Sequence, residues 1–353
     1  MRVAIVSLRT VHHERSEAAR RRHRLARLLE QRGHDVHVAC ARWWDGAPIA
    51  KTHEGIEYHN VVEDPEHPRS FWMNLPVVLR SIKPDVVHAA EEPPSGTRGA
   101  SIGARLARSP LVLEWYGEAG EPEGRPYRRA AGRGSTIVTP SRMVQTWVRE
   151  LGATEDRTAV IPTPIDMDRI ESVPVDETPD IVTARRLDGD ANVDSLLLGL
   201  AELRDRDWSA RIIGDGPKRA AYEELAGDLR IDDRVEFVGD QRPEERLSTY
   251  RGAHVFVQTA THCIFPTEML RALAAGCIGI VEYHANSSAH ELVEGRVRGF
   301  RTTDAREMAD AIVESGDLEH LTIDEDYRPF DEDRVIDRYL ECYEAAIEAR
   351  GFL

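Results

Sequence analysis

The chain has 353 residues, of which 41% are hydrophobic, so it can build two domains with separate cores and is not a disordered protein. Its apolar runs fall short of the roughly 18 to 20 residues that span a bilayer, and its N-terminal stretch lacks the pattern of a secretory signal peptide. The four cysteines are widely spaced and form no CxxC pair, which argues against a zinc ribbon or a disulfide framework. We therefore expect a cytoplasmic protein with reduced thiols.

Acidic residues outnumber basic ones by 62 to 46, and only three of the basic residues are lysines. This composition resembles that of proteins from salt-loving archaea, where hydrated carboxylates keep a surface wet at molar salt. Residues 1–165 hold 24 basic and 20 acidic residues, against 22 and 42 in the remainder. The lower acidity of the first half is consistent with a peripheral contact with anionic lipid at the inner membrane face. Basic residues on solvated helix faces are an equally good interpretation of the same charge pattern. We expect no nucleic-acid partner.

The first half alternates strand-like and helix-like segments. A β-branched run, RVAIVSL, is followed by a helical stripe over residues 16–32 and by a second strand, HDVHVAC. The alternation continues to STIVTP at 135–140. Strands separated by helices indicate βαβ units and a parallel sheet. The apolar helix at 70–82 either packs on this sheet or dips into a membrane interface.

The pattern begins again after residue 165 and continues to GIVEY at 279–283. We therefore predict two Rossmann-like doubly wound α/β domains, 1–165 and 166–332, facing each other across a cleft. An amphipathic helix over 333–353 is expected to pack back on the domain junction. Ligands of such sheets bind at the carboxyl ends of the strands.

The stretch RIIGDGPKR is typical of a strand, a tight turn and a helix start. In this turn, Gly214, Asp215 and Gly216 would bring backbone N–H groups close to a phosphate. The alternative is structural, because any strand-to-helix turn of a Rossmann domain can carry glycine.

Four motifs occur in a specific order: TARRL, GDGP, DDRVEFVGD and ALAAG. Together they resemble the second domain of the retaining glycosyltransferases of family four, and IKPDVVHA and VIPTPID resemble motifs of the first domain and linker of that family. The resemblance implies a GT-B fold in which the second domain holds the sugar nucleotide and the first holds the acceptor. It also implies a reaction with retention of configuration, without a bound metal and without a cofactor.

Arg186 stands where the family has an arginine that contacts the donor diphosphate, a task that suits a permanently charged guanidinium. The alternative is a surface arginine. The family lysine five residues later is replaced by Ala191, so one phosphate contact is missing. The acidic triplet Asp188-Gly189-Asp190 resembles a metal-binding motif of another transferase fold, but it follows a strand of this one, and no metal site is predicted.

The family places two glutamates, with seven residues between them, before the ALAAG motif, and here those places hold Cys263 and Arg271. Glu268 lies one helical turn before Arg271, where its carboxylate could serve the ribose instead. The alternative is an ion pair between Glu268 and Arg271. In the following loop, Ser287 and Ser288 replace two glycines and would donate to phosphate, with Glu291 at the acidic place.

The resemblance points to further candidates in the first domain. Arg9, His12 and His13 occupy the loop where the family has a glycine pair, and we expect them to offer cationic side chains to phosphate, with plain solvent exposure as the alternative. Tyr116 takes the place of a family histidine, and Glu114 precedes it by two residues. Both would face the mouth of the cleft, Tyr116 orienting the acceptor and Glu114 acting as a base or binding a hydroxyl. A buried aromatic is the alternative for Tyr116.

The sequence therefore predicts a hexosyltransferase that uses a nucleotide-sugar donor and a glycan or lipid-linked acceptor. One alternative is a non-catalytic GT-B relative that acts as a binding or partner subunit, since the two glutamates and the lysine are missing. Another is a sugar-nucleotide epimerase on the same scaffold. The donor sugar and base, the acceptor and the oligomeric state stay open.

Overall fold

The computed structural model describes residues 1–46, 49–176 and 179–351. They form two compact α/β units, one made of Met1–Pro162 with Asp333–Leu353 and the other of Thr163–Glu332. Among the described residues, no helix has the combined length and hydropathy that a bilayer-spanning segment needs.

The strands are short, as is usual for doubly wound sheets. In chain order they are β1 Arg2–Val6, β2 Asp35–Ala41, β3 Ala50–His53, β4 Ile56–Val62, β5 Val86–Ala90, β6 Leu111–Glu114, β7 Thr136–Thr139, β8 Thr158–Val160, β9 Ile181–Ala184, β10 Ala210–Ile213, β11 Val235–Gly239, β12 Val255–Gln258, β13 His262–Cys263, β14 Ile278–Glu282, β15 Asn286–Ser287 and β16 Gly299–Thr302.

Helices alternate with most of these strands. In chain order they are α1 Glu17–Gln31, α2 Pro68–Ile82, α3 Thr97–Ala107, α4 Arg125–Ala131, α5 Arg142–Glu150, α6 Met167–Ser172, α7 Val193–Glu202, α8 Arg219–Asp228, α9 Pro243–Gly252, α10 Thr267–Ala274, α11 Ala305–Ser315 and α12 Glu332–Gly351. Short 3-10 turns lie at Glu155–Arg157, Ala289–Leu292 and Glu325–Phe330.

The first unit is built on a sheet with the order β3-β4-β2-β1-β5-β6-β7-β8. Its strand pairs are parallel except for the edge pair of β3 and β4. Strand β1 is buried on both faces from Val3 to Val6, which explains its continuous apolar run. The predicted parallel sheet of the first half is thus confirmed.

Helices on both ends of the chain cover this sheet. Helix α1 is capped by Ser16, whose Oγ accepts a hydrogen bond from the N–H of Ala19 at 3.1 Å. Helix α12, near the C-terminus, packs Val335, Tyr339 and Tyr343 into the core of the first unit. The unit therefore closes with residues from both ends of the sequence.

Helix α2 packs closely against helix α3. A side chain at Gly99 would meet the backbone of Trp72, and one at Gly103 would meet Leu79, so the small residues of α3 permit the close approach. The buried face of α2 includes Phe71, Trp72 and Leu79. Its outer face leaves Met73 and Val77 more than two-thirds exposed.

The second unit contains a sheet with the order β11-β10-β9-β12-β14-β16, and every pair in it is parallel. Strands β13 and β15 form a separate two-stranded pair. Helices α10 and α11 bury residues in two different core clusters of this unit, such as Leu273 in one and Met308 in the other. The prediction of a second doubly wound domain is therefore confirmed.

Candidate functional site

The loops that follow β9, β10 and β11 are joined by backbone hydrogen bonds. The N–H of Leu187 donates to the carbonyl of Asp215 at 3.0 Å, and the N–H of Lys218 donates to the carbonyl of Leu187 at 2.9 Å. The N–H of Gly214 donates to the carbonyl of Gly239 at 2.9 Å. Because ligands of doubly wound sheets bind at the carboxyl ends of the strands, these loops form the candidate donor-side edge of the second unit.

The fold itself requires both glycines of the turn after β10. Gly214 has a φ of +127°, and a Cβ at this position would overlap the carbonyl oxygen of Arg185. A Cβ at Gly216 would overlap the carbonyl oxygen of Leu187. The carboxylate of Asp215 accepts a hydrogen bond from the N–H of Gly216 at 2.7 Å. The close packing of the two loops is therefore sufficient to explain why both positions are glycine. The role of these glycines in phosphate binding stays a prediction.

Arg186 is an exposed cation beside this turn. Its side chain is 72% exposed, against 18% for the neighbouring Arg185, and its Nε lies 3.9 Å from a carboxylate oxygen of Asp188. Ala191, at the place of the family lysine, is fully buried in the core. Within the described ranges, no third metal-ligating side chain joins Asp188 and Asp190. Arg186 is therefore accessible to an anionic ligand.

Glu268, near the start of helix α10, is held by side chains of the second unit. The hydroxyl of Tyr250 donates to its Oε2 at 2.8 Å, Arg271 donates to its Oε1, and Nη1 of Arg246 lies 3.7 Å from the same oxygen. Burial and the nearby Glu268 carboxylate raise the pKa of Tyr250 well above its ordinary value, so this hydroxyl remains a donor. The geometry matches the alternative interpretation of Glu268, an ion pair with Arg271, rather than a free carboxylate for ribose.

The two serines that replace the family glycines are buried, Ser287 at the end of β15 and Ser288 just before the 3-10 turn that follows it. The hydroxyl of Ser288 donates to the carbonyl of Ile264 at 2.7 Å, and its N–H donates to the carbonyl of Cys263 at 2.9 Å. The expectation that Ser288 donates to phosphate is therefore corrected, because both of its donors already serve the backbone. Ser287 is also buried, and its Oγ accepts from the N–H of Ala289 at 3.5 Å. Glu291 lies on the 3-10 turn itself and is partly exposed.

A polar cluster that the sequence analysis did not identify joins the loops after β9, β12 and β14. Asn192, at a φ of +51°, donates from Nδ2 to the carbonyl of Thr259 at 3.1 Å and to Oε2 of Glu282 at 3.2 Å. The other oxygen of Glu282 lies 3.7 Å from Nε2 of His284. The sequence signal for this cluster is Glu282, a carboxylate at the end of the otherwise apolar strand β14. The cluster places a carboxylate and an imidazole at the carboxyl edge of the second sheet.

Glu114, at the end of β6 in the first unit, is fully buried. Arg21 donates from Nε to Oε1 at 2.9 Å, Arg22 donates from Nη1 to Oε2 at 3.4 Å, and Nε2 of His88 lies 3.8 Å from Oε1. Burial alone would raise the pKa of Glu114, but His88 and the two guanidinium groups hold it well below its usual range. The expectation that Glu114 faces open space is corrected, because its carboxylate neutralises buried arginines.

Tyr116 is also buried, with 3% of its surface exposed. Its backbone N–H and that of Gly117 both donate to Oε1 of Glu91 at 3.0 Å. The alternative of a buried aromatic therefore describes Tyr116, and its expected position at an open mouth is corrected. The segment instead uses its backbone to hold Glu91.

A cavity of about 400 Å³ lies at the carboxyl ends of β1 and β5 in the first unit. It is lined by two arginines and five glutamates, namely Arg9, Arg22, Glu14, Glu66, Glu91, Glu92 and Glu118. Burial raises the pKa of Glu91 to about 7, although the N–H of Gly117 and the charge of Arg22 oppose the shift. Burial also raises the pKa of Glu92, against the hydrogen bond that it accepts from the hydroxyl of Tyr127 at 3.0 Å. The cavity therefore offers one carboxyl group, that of Glu91, that can exchange a proton near neutral pH.

The three first-domain candidates for phosphate binding differ in charge. Burial and the nearby imidazoles of His23, His53 and His13 lower the pKa of His12 to about 4, and its ring stacks on Trp43 with centroids 3.7 Å apart. Burial also lowers the pKa of His13. The expectation of cationic histidines is therefore corrected, since neutral imidazoles attract phosphate weakly. The guanidinium of Arg9 pairs with Glu66 and lines the cavity.

Family models match both halves of the chain. The model described as Glycosyltransferase Family 4 matches residues 18–169, and the model described as Glycosyl transferases group 1 matches residues 178–315.

Two curated relatives also align. An alpha-monoglucosyldiacylglycerol synthase of Streptococcus pneumoniae is 23% identical over 237 residues, which are 61% of this chain and 53% of that protein. A 2-deoxystreptamine glucosyltransferase of Streptomyces kanamyceticus is 27% identical over 164 residues, 42% of either chain. The aligned part thus spans about half the length of these relatives.

Solved structures share the fold over nearly the whole chain. A glycosyltransferase from Rickettsia africae superposes with a TM-score of 0.77 at 16% identity, covering 98% of both chains. HepE of Anabaena, solved in complex with UDP, superposes with a TM-score of 0.76 at 17% identity, covering 98% of this chain and 100% of HepE. At these identities the likeness concerns the fold.

Proposed function

From the premise that the chain belongs to the group 1 glycosyltransferases of GT-B fold, we propose that it transfers a sugar from a nucleotide-sugar donor to a hydroxyl group of a glycan or lipid-linked acceptor. The observation that carries this proposal is the match of two consecutive family models, one to each half of the chain. The names of the two curated relatives, a monoglucosyldiacylglycerol synthase and a glucosyltransferase, both refer to a glucosyl group. HepE was solved with UDP and with UDP-glucose. UDP-glucose is therefore the first donor to test.

On the donor side, we assign the diphosphate to Arg186. Its exposed guanidinium lies beside the linked loops at the carboxyl ends of β9 and β10. A leaving diphosphate gains negative charge as the glycosidic bond breaks, so a positioned cation stabilises the transition state more than the bound substrate. Glu291 is the proposed carboxylate for donor hydroxyls. Retention of configuration and independence of a metal ion belong to the same proposal and rest on the family resemblance.

On the acceptor side, we assign the cavity of the first unit. An acceptor hydroxyl must lose its proton during transfer, and a group whose pKa lies near the working pH removes a proton most efficiently. Glu91 fits this requirement, because its pKa is about 7 and it lines the cavity. The five glutamates of the lining outnumber its two arginines, so the cavity suits acceptor hydroxyl groups rather than an anionic group.

The outer faces of helices α2 and α3 favour a lipid-linked acceptor. Met73 and Val77 on α2 are 77% and 72% exposed, and Ile102 and Leu106 on α3 are 43% and 48% exposed. Burial lowers the pKa of the Arg133 guanidinium, and the nearby charge of Arg98, at the start of α3, adds to that shift. The two arginines therefore lie close to each other. Exposed apolar side chains beside arginines suit a peripheral contact with anionic lipid, so we propose membrane attachment through the first unit.

A non-catalytic binding subunit is the second candidate, favoured by the state of Glu268. Its carboxylate is engaged by Tyr250 and Arg271, and Cys263 offers no carboxylate at the other acidic place. Such a protein would keep nucleotide-sugar binding without turnover.

The test uses the full chain at low and at molar salt, with a panel of nucleotide sugars that includes UDP-glucose. Binding is measured by calorimetry, and turnover is measured by release of the nucleotide with diacylglycerol or monoglucosyl diacylglycerol in vesicles. Product with the donor's anomeric configuration supports retaining transfer. Binding without turnover supports the non-catalytic candidate, and a donor returned with an inverted hydroxyl centre indicates an epimerase.

The Arg186→Ala variant tests the donor assignment. Loss of a charge-assisted contact to the diphosphate should weaken donor binding by about tenfold or more. Arg206→Ala removes another exposed arginine of the second unit and serves as the matched control. Equal donor affinity in the two variants would remove the phosphate role of Arg186.

A further inference from the structure

Three metal-ligating side chains meet on one face of strands β2 and β4 in the first unit. The register of these parallel strands pairs His37 with Glu57, and His59 lies two residues further along β4. Side chains two residues apart leave the same face of a strand, so all three project together. Their neighbours Val38 and Tyr58 point to the other face and pack in the core.

The ligand atoms of this cluster form a compact triangle. Nδ1 of His37 lies 2.9 Å from Nε2 of His59. Oε2 of Glu57 lies 3.5 Å from Nδ1 of His37, and Oε1 of Glu57 lies 3.5 Å from Nε2 of His59. In a tetrahedral zinc site with bonds of about 2.0 to 2.1 Å, neighbouring ligand atoms are about 3.3 Å apart. These three separations, two of which end on different oxygens of Glu57, are close to that value, so an ion fits with small side-chain adjustments.

A further carboxylate stands behind one of the two imidazoles. Oδ1 of Asp35 lies 3.1 Å from Nε2 of His37. The opposite ring nitrogen, Nδ1, is the atom that points into the cluster. A carboxylate behind a ligating histidine commonly orients it in metal sites.

We propose that His37, Glu57 and His59 bind a divalent transition metal ion of the zinc type, with a remaining position for water. Two imidazoles and one carboxylate are ligands that zinc accepts, and the partly exposed Glu57 gives an ion access from solvent. The three residues lie within the strands rather than beyond their carboxyl ends, so the ion ties β4 to β2. Because β3 pairs only with β4 in this sheet, the ion also stabilises that edge.

The experiment uses the full chain after treatment with a chelator. Zn²⁺ is titrated by calorimetry, and Co²⁺ is titrated by visible absorption, in which a tetrahedral site gives an intense ligand-field band. We expect one equivalent to bind the wild type and to raise its melting temperature. His59→Gln and Glu57→Gln should each weaken binding by about tenfold or more and abolish the thermal shift. The Glu57 side chain is partly exposed, at 43%, so that variant should fold normally.

His320→Gln is the matched control, because His320 and His254 form another histidine pair, with ring centroids 5.9 Å apart, in the second unit. It should bind the ions as the wild type does. The proposal is overturned if the wild type binds neither ion, if Glu57→Gln and His59→Gln keep wild-type affinity, or if His320→Gln loses binding to the same extent.

Discussion

Two buried glutamates of the first unit have opposite pKa shifts because their neighbours differ. Glu114 is surrounded by Arg21, Arg22 and His88, which keep its pKa low against burial. Burial raises the pKa of Glu91 to about 7, and the nearby charge of Glu114 adds to the rise, although the N–H of Gly117 and the charge of Arg22 oppose it. Glu114 is therefore an anion that holds buried arginines in place. Glu91 is a group that can exchange a proton.

The Glu91→Gln variant tests the raised pKa. The folded-state pKa of about 7 exceeds the reference value of 4.5, so the folded chain binds more protons than the unfolded chain between these values. Glu91 therefore lowers stability as the pH rises from about 4.5 to about 7. We expect Glu91→Gln to stabilise the chain by about 1 to 3 kcal/mol near pH 8, and to have little effect near pH 4 to 5. Urea unfolding of both proteins at the two pH values measures the difference.

The same variant tests the proposed base. If Glu91 deprotonates the acceptor, turnover of the wild type should rise as the pH passes through about 7, and Glu91→Gln should lose that rise together with most of its turnover. Glu118→Gln, on the same cavity wall, is the control. An unchanged pH profile in Glu91→Gln would assign the proton transfer to another group.

The Glu114→Gln variant tests the buried ion pairs. Removing the charge leaves Arg21 and Arg22 buried without their anion, which should cost about 3 to 5 kcal/mol of unfolding free energy. Unfolding in urea at neutral pH measures the loss. Glu121→Gln, at an exposed position, should be nearly neutral. A loss below about 1 kcal/mol would mean that water or another carboxylate reaches the arginines.

Among the elements, the loop pair after β9 and β10 depends on a close backbone approach. In Gly214→Ala, the new Cβ would overlap the Arg185 carbonyl at a positive φ, so we expect a loss of more than about 1 kcal/mol and weaker donor binding. Gly227→Ala is the matched change, because that glycine lies inside α8 with open space around it. It should stabilise the chain by about 0.5 to 1 kcal/mol. Thermal unfolding and donor titration of both variants measure the contrast.

Helix α10 keeps the family motif ALAAG while its acidic chemistry has changed. Ala272 and Leu273 are fully buried, so the motif serves the core of the second unit. Glu268 is tied to Tyr250 and Arg271 on the side of the helix that faces α9. The hydrogen bond from Tyr250 therefore links α9 to α10, whereas the ion pair with Arg271 lies within α10. The polar cluster around Glu282 provides the buried carboxylate at the edge of the sheet.

For the whole molecule, the uneven charge accompanies exposed apolar side chains on the first unit. Residues 1–165 carry a slight positive excess, and Met73 and Val77 lie on the outer face of α2. We expect the Met73→Ser, Val77→Ser double variant to bind vesicles containing anionic lipid roughly tenfold more weakly than the wild type, because it loses the apolar contribution to binding. Co-sedimentation with vesicles at low and at molar salt measures it.

Leu198→Ser is the control for vesicle binding, since Leu198 is an exposed apolar residue of the second unit at 45% exposure. It should leave binding unchanged. Equal loss in both variants would indicate non-specific adsorption, and no binding by the wild type would remove the membrane contact from the proposal.

Local patterns in the sequence were sufficient to predict the two doubly wound units and the candidate loops. The alternation of apolar strands with amphipathic helices depends on residues a few positions apart, and so do the glycine turns at Gly214 and Gly216. The ordered motifs of the second half identify the family in the same way, because each motif is a short continuous segment.

The tertiary structure alone decided which side chains are free to act. Arg21 meets Tyr339 across 318 residues of sequence, and the backbone of Tyr116 meets the carboxylate of Glu91. Burial and charge at such positions depend on residues brought together by packing, so periodicity could not reveal that Glu114 is enclosed or that Glu268 is ion-paired. For the same reason, the triangle of His37, Glu57 and His59 emerged only from the register of two adjacent strands. Helices and strands are determined largely by residues close together in the sequence, whereas the protonation of a side chain and its access to a ligand depend on residues far apart in the sequence.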